Sequence, residues 1–268
     1  ALFALSDLVG EFEKPVYIDF DADICSHSRS AKIGCHNCLD NCPVGAITPN
    51  GDHVAFNSAI CGGCGNCASV CPTGAASYAF PHREDILARA AAMLEGYELA
   101  GGKRPILLLH DEKHGRQTID AIARFGRGLL ANVIPLSLNS VLQTGHDTMA
   151  GLLAFGAEQL VLLAPAERPA ELAALEAQSE LATHILDALG YRGPRIRILI
   201  EHDPFVVDDA LRELPTLATM KPHRYALAGT KRDLARMALA KLHAAAPEPQ
   251  QIIALPENAP YGRIKINQ

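Results

Sequence analysis

The chain contains no tryptophan, and aromatic residues make up only 5% of it. Stacking platforms for nucleic-acid bases are built from aromatic side chains, so that class of protein has little to be made from here. A basic surplus is also missing: 24 Lys and Arg stand against 30 Asp and Glu, a net charge of −6. Non-specific nucleic-acid binding depends on neutralising phosphates, and this balance excludes it. No apolar run approaches the roughly 18 residues needed to cross a bilayer, so no membrane span is expected. The most informative absence is local. Cysteine does not occur after Cys71, because all eight cysteines lie between Cys25 and Cys71.

What is present fits a packed globular chain. Its 268 residues suggest about two domains, and 49% hydrophobic with 20% charged residues is enough to build a core. The acidity is uneven. Residues 1–80 carry only Lys14, Arg29 and Lys32 against eight acidic side chains. A redox partner protein with a basic docking surface would complement that part. Eight cysteines crowded into a short segment do not suit a disulfide framework, which belongs to small secreted domains with weak cores. Ligation by thiolates in a reducing compartment fits better, and a cytoplasmic location is expected.

The stretch "CGGCGNCASVCP" (61–72) places four cysteines at C-x2-C-x2-C-x3-C with proline next. A copy lies 29 residues upstream: "CPVGAIT" from Cys42 matches "CPTGAAS" from Cys71, Cys35 matches Cys64, and Cys38 matches Cys67. Cys61 should match position 32, which is Lys32; the nearest cysteine is Cys25, seven residues earlier. The first copy therefore reads C-x9-C-x2-C-x3-C-P, with an insertion in its first ligand loop. Three cysteines at x2 intervals can wrap a cubane iron–sulfur cluster, while the fourth, directed away by its proline, reaches a second one. The expected ligand sets are crossed: Cys25, Cys35, Cys38 and Cys71 for cluster one, and Cys61, Cys64, Cys67 and Cys42 for cluster two. Gly62, Gly63 and Gly65 would permit positive φ beside the ligands. Tetrahedral zinc is the alternative, but it usually separates two C-x2-C knuckles by a longer spacer.

In these motifs residues 15–80 resemble the bacterial two-cluster [4Fe–4S] ferredoxins. The resemblance implies a pseudo-twofold α+β module that passes single electrons between two [4Fe–4S] clusters. The departure at Lys32 leaves three outcomes open for cluster one: ligation by Cys25, a [3Fe–4S] centre, or a histidine ligand, His27 or His36.

Around this module, residues 1–14 read as an N-terminal helical segment and 81–102 as a connecting helix with Ile86, Ala90, Met93 and Tyr97 on one face. From 103 to 215, continuous apolar strands alternate with amphipathic helices. That pattern predicts an α/β domain with a parallel sheet covered by helices on both faces. It carries no G-x-G-x-x-G, P-loop or G-x-S-x-G motif. His110, Asp111, Glu112 and His114 gather at a strand end, where the plain reading is a polar loop. "LNSVLQTGHDTMAGLLAFGAEQLVLLAP" looks like the delta-subunit domain of methyl-viologen-reducing hydrogenases. That domain carries its own cysteines and this stretch has none, so the likeness implies a docking or scaffold role only. Residues 216–268 read as an extension with "HRYALAG", a helix, and the strand-like "QIIALP" and "GRIKIN". "YGRIKINQ" alternates like "PVYIDFDAD", the strand leading into Cys25. Overall the chain resembles the middle of multidomain bacterial 4Fe–4S binding proteins, which implies a piece of a longer electron-transfer polypeptide. The expected function is electron transfer through two clusters, serving a redox enzyme complex. The alternative is an oxidoreductase with a substrate or flavin site in the α/β domain, fed by the clusters.

Overall fold

The structure, a computed structural model, describes residues 13–27, 34–165, 169–257 and 259–261. Most of the expected segment 1–14, Lys32 and the "GRIKIN" stretch fall outside the described residues.

The cysteine-rich part is a small α+β unit. Strand β1 (Ile18–Phe20) pairs antiparallel with β4 (Ala76–Tyr78), and β2 (Ile47–Asn50) with β3 (His53–Phe56). Asn50 and Gly51 sit at the β2–β3 turn, where Gly51 takes φ 63°, the left-handed geometry such a tight hairpin favours. Two short helices, α1 (Asn37–Asp40) and α2 (Asn66–Val70), follow Cys35 and Cys64. Around Val54, Ala68, Ala75, Ala76 and Tyr78, a small core packs directly against the cysteines.

Helix α3 (Arg83–Leu99) leads to a four-stranded parallel sheet made of β5 (Ile106–Asp111), β6 (Val133–Leu138), β7 (Gln159–Ala164) and β8 (Ile196–Ile200). The strand order is β6-β5-β7-β8. The connecting helices are α4 (His114–Phe125), α5 (His146–Ala154) and α6 (Pro169–Ala188); α7 (Pro204–Arg212) follows β8. Because successive strand side chains point to opposite faces, each central strand feeds two cores. Leu107, Leu109, Leu160 and Leu162 pack with α3, α5 and α6, whereas Leu108, Val161 and Leu163 pack with Ile122 of α4 and Val207 and Leu211 of α7. Both faces are thus covered, as the continuous apolar strands predict. Pro135, which cannot donate to a ladder, lies in the edge strand β6.

Helix α3 buries Ile86, Leu87, Ala90 and Leu94 in the same core as the sheet. Met93 and Tyr97 sit half-buried at its margin, so the apolar face is turned from the expected one. After α7 the chain runs without ladder partners; "HRYALAG" and "QIIALP" form no strands, since neither finds a sheet edge to pair with. Between them α8 (Lys231–Ala244) starts on a capping box: the Thr230 hydroxyl accepts from Asp233 N–H, and Thr230 N–H donates back to the Asp233 carboxylate. Among the described residues no helix is long and apolar enough to cross a membrane.

Candidate iron–sulfur site

All eight cysteines are free thiols. The repeat seen in the sequence is a structural one. Cys35 and Cys64, helix starts Asn37 and Asn66, and strand starts Ile47 and Ala76 are each 29 residues apart. Upstream of the insertion the offset widens: Ile18 and His53, which open β1 and β3, are 35 apart, and Cys25 and Cys61 are 36 apart. Cys25 is therefore the positional counterpart of Cys61.

The insertion is closed at its stem. Gly34 N–H donates to His27 O at 2.6 Å, and Cys35 N–H donates to Ser26 O at 3.1 Å. The His27 ring adds a third tie, its Nδ1 donating to Cys35 O at 2.9 Å. These bonds pinch residues 26–27 against 34–35, so Cys25 lies beside Cys35 despite the nine intervening residues. Cys25, Cys35, Cys38 and Cys71 line one small cavity, with Phe20, Val54, Ala75 and Ala76 as its apolar wall.

Electrostatics groups the thiols the same way. Burial, then the nearby thiols of Cys71, Cys35 and Cys25, push Cys38 up to about 12. Cys35 is raised by burial and then by Cys71 and Cys25, partly offset by Asn37 N–H. In the second group, burial raises Cys64 against the pull of Asn66 N–H, and Glu171, Cys42 and Cys61 add to the rise. Cys67 is raised by burial and then by Cys64, Cys38, Cys61 and Cys42. Cys38 recurs there because the two groups adjoin. Cys71 is the exception: burial raises it, but hydrogen bonds from Ala76 N–H and Thr73, with the Lys231 charge, bring it below the usual thiol range. Half-buried thiols that oppose one another's ionisation are poor hosts for bare thiolates and suitable hosts for a positively charged iron core. Ala46 N–H to Cys42 Sγ at 3.2 Å and Ala76 N–H to Cys71 Sγ at 3.5 Å supply the amide donors that tune such sulfurs. Among the described residues no three Cys, His, Asp or Glu side chains close on a single metal-ion position.

Gly63 and Gly65 take positive φ, 71° and 88°; Gly62 does not. At Gly65 the need is double, since a Cβ would also come within 2.6 Å of Gln143 Cβ. Gly65→Ala is expected to destabilise the folded protein by about 2–4 kcal/mol, combining left-handed strain with overpacking. Thermal melting of the iron-loaded protein checks this; an unchanged midpoint would refute the close approach.

The ligand loops dock on the carboxyl end of the parallel sheet, where open α/β sheets usually bind ligands. Tyr78 OH donates to Gly63 O and accepts from Asn139 Nδ2, both at 2.6 Å. Asn66 Nδ2 donates to Glu171 O at the start of α6 at 2.9 Å. The expected strand-end group has local partners instead: Asp111 Oδ1 accepts from Lys113 and Gly115 N–H, and Glu112 pairs with Arg116 and Ser137. His36 is exposed, and its ring meets that of buried His27 edge-on at 5.6 Å between centroids. Sequence reasoning missed the buried Arg83–Asp147–Lys231 group beside α2, in which Arg83 Nε is 2.7 Å from Asp147 Oδ2. "KRD" at the start of α8 reads as solvated charge, and no local signal marks it otherwise.

Residues 33–75 match the family model of the 4Fe-4S dicluster domain. The match supports an iron–sulfur ferredoxin-type module in this part of the chain, with 4Fe–4S binding and electron transfer as its class of activity. Cys25 lies outside the matched residues. Neither a curated protein nor a solved structure matches the chain.

Proposed function

We propose that the module holds two [4Fe–4S] clusters with crossed ligands, Cys25, Cys35, Cys38 and Cys71 for one and Cys61, Cys64, Cys67 and Cys42 for the other. Bound there, such clusters take up and release single electrons. The observation that carries this reading is the pinched loop, which sets Cys25 on the same cavity as Cys35, Cys38 and Cys71. It favours four-thiolate ligation over a [3Fe–4S] centre. The α/β part serves as the frame: its strand-end loops grip the cysteine loops, in line with the scaffold role that the hydrogenase-subunit likeness implied. The acidic module meets a redox partner with a basic surface in a cytoplasmic electron-transfer complex. Anaerobically purified protein should be brown, carry about eight irons and eight sulfides, and give reduced-cluster EPR signals with dithionite. Stoichiometric zinc without iron would sink the proposal.

A second reading, an oxidoreductase with its own substrate or flavin, has one observation in its favour. A cavity of about 680 Å³ opens between the module and the α/β part, lined by Cys71, His146, Gln178, Lys231 and Tyr261 among others. Flavin retained through anaerobic purification, or turnover without a partner protein, would select it.

A further inference from the structure

Lys231 opens α8, 162 residues after Ser69, yet it is only 6% exposed. Its Nζ donates to Ala68 O at 2.8 Å and Ser69 O at 2.6 Å, and Asp147 Oδ1 lies 3.6 Å away. Those contacts are all acceptors, which suits an ammonium with three N–H donors and leaves nothing to donate to a neutral amine. Asp147 is paired with Arg83 at 2.7 Å, so the group as a whole carries a positive charge. Both carbonyls belong to α2, which contains Cys67 and ends one residue before Cys71. Cys71 and Lys231 also line the same cavity wall. A fixed positive charge beside a cluster favours the electron-rich, reduced form, and burial weakens the screening that water would provide.

We propose that Lys231 is a positioning residue for electron transfer: its buried charge raises the reduction potential of the cluster ligated by Cys71 and so separates the two cluster potentials. This rests on the reading of Cys71 as a ligand. A helix from the far end of the chain thereby biases the order in which the clusters fill.

The test uses the full chain, loaded with iron and titrated anaerobically with EPR detection. Iron and sulfide are counted first, and a wild-type protein without clusters fails the functional proposal itself. With clusters present, Lys231→Met keeps the aliphatic stem and leaves Asp147 paired with Arg83. It should lower one potential by roughly tenfold in the one-electron equilibrium, about 59 mV, and move the other much less. Lys231→Arg should keep both potentials. If Lys231→Met fails to assemble, Asp147→Asn approaches from the other side: it removes the neighbouring negative charge and should raise the same potential. Potentials unmoved in these variants, equal movement of both clusters, or an Arg variant that shifts as far as the Met variant would overturn the inference.

Discussion

Cys25→Ala should abolish one of two [4Fe–4S] signals and leave the other. Bound iron should fall from about eight to about four, or to about seven if a three-iron centre remains. The argument is geometric. Gly34 and Cys35 N–H groups close the insertion on His27 and Ser26, so removing the Cys25 thiol leaves Cys35, Cys38 and Cys71 as the described cysteines lining that cavity. His27 is the rival ligand: with Nδ1–H donated to Cys35 O, its Nε2 lone pair stays free for a metal; if Cys25 is the ligand, His27→Ala should loosen the loop stem and retain both signals. Iron analysis with EPR decides. Two unchanged signals in Cys25→Ala, with loss in His27→Ala, would transfer the ligand role to the histidine.

Glu158→Ala should destabilise the α/β part by about 3 kcal/mol. Glu158 is 2% exposed and accepts from Arg104 Nε at 3.1 Å, from Arg104 Nη2 at 2.9 Å and from Leu217 N–H at 3.1 Å. Its removal strands a guanidinium and an amide where the tail crosses the amino end of the sheet. Breaking one side of a buried pair costs about 3–5 kcal/mol; Arg104, 35% exposed at its side chain, keeps some access to water and places the value at the low end. Denaturant unfolding of the iron-loaded protein measures it. A change under about 0.5 kcal/mol, as for an ordinary surface substitution, would show that the network contributes little. The same tail leads to α8 and Lys231, so the variant also asks how firmly that charge is held.

Local signals were readable where one chain segment decides the outcome. The 29-residue repeat showed the ligand triplets, and apolar runs showed the parallel strands. The faces of α3 were read less well, because Leu87 and Leu94 are chosen over Met93 and Tyr97 by the sheet they meet, not by helical period. "QIIALP" has a strand-like pattern, but a strand needs an edge, and pattern alone does not say whether one is near.

By itself, the sequence determined that the closely spaced cysteine pattern occurs twice in this chain, because cysteine spacing is a property of consecutive residues. Only the tertiary structure decided which thiols face one another: Cys25 reaches Cys35 through a stem of backbone hydrogen bonds that no spacing rule describes. It also decided that Lys231 is buried against α2, the helix that contains Cys67. A charge on the first turn of an amphipathic helix looks solvated until the surface it lands on is known.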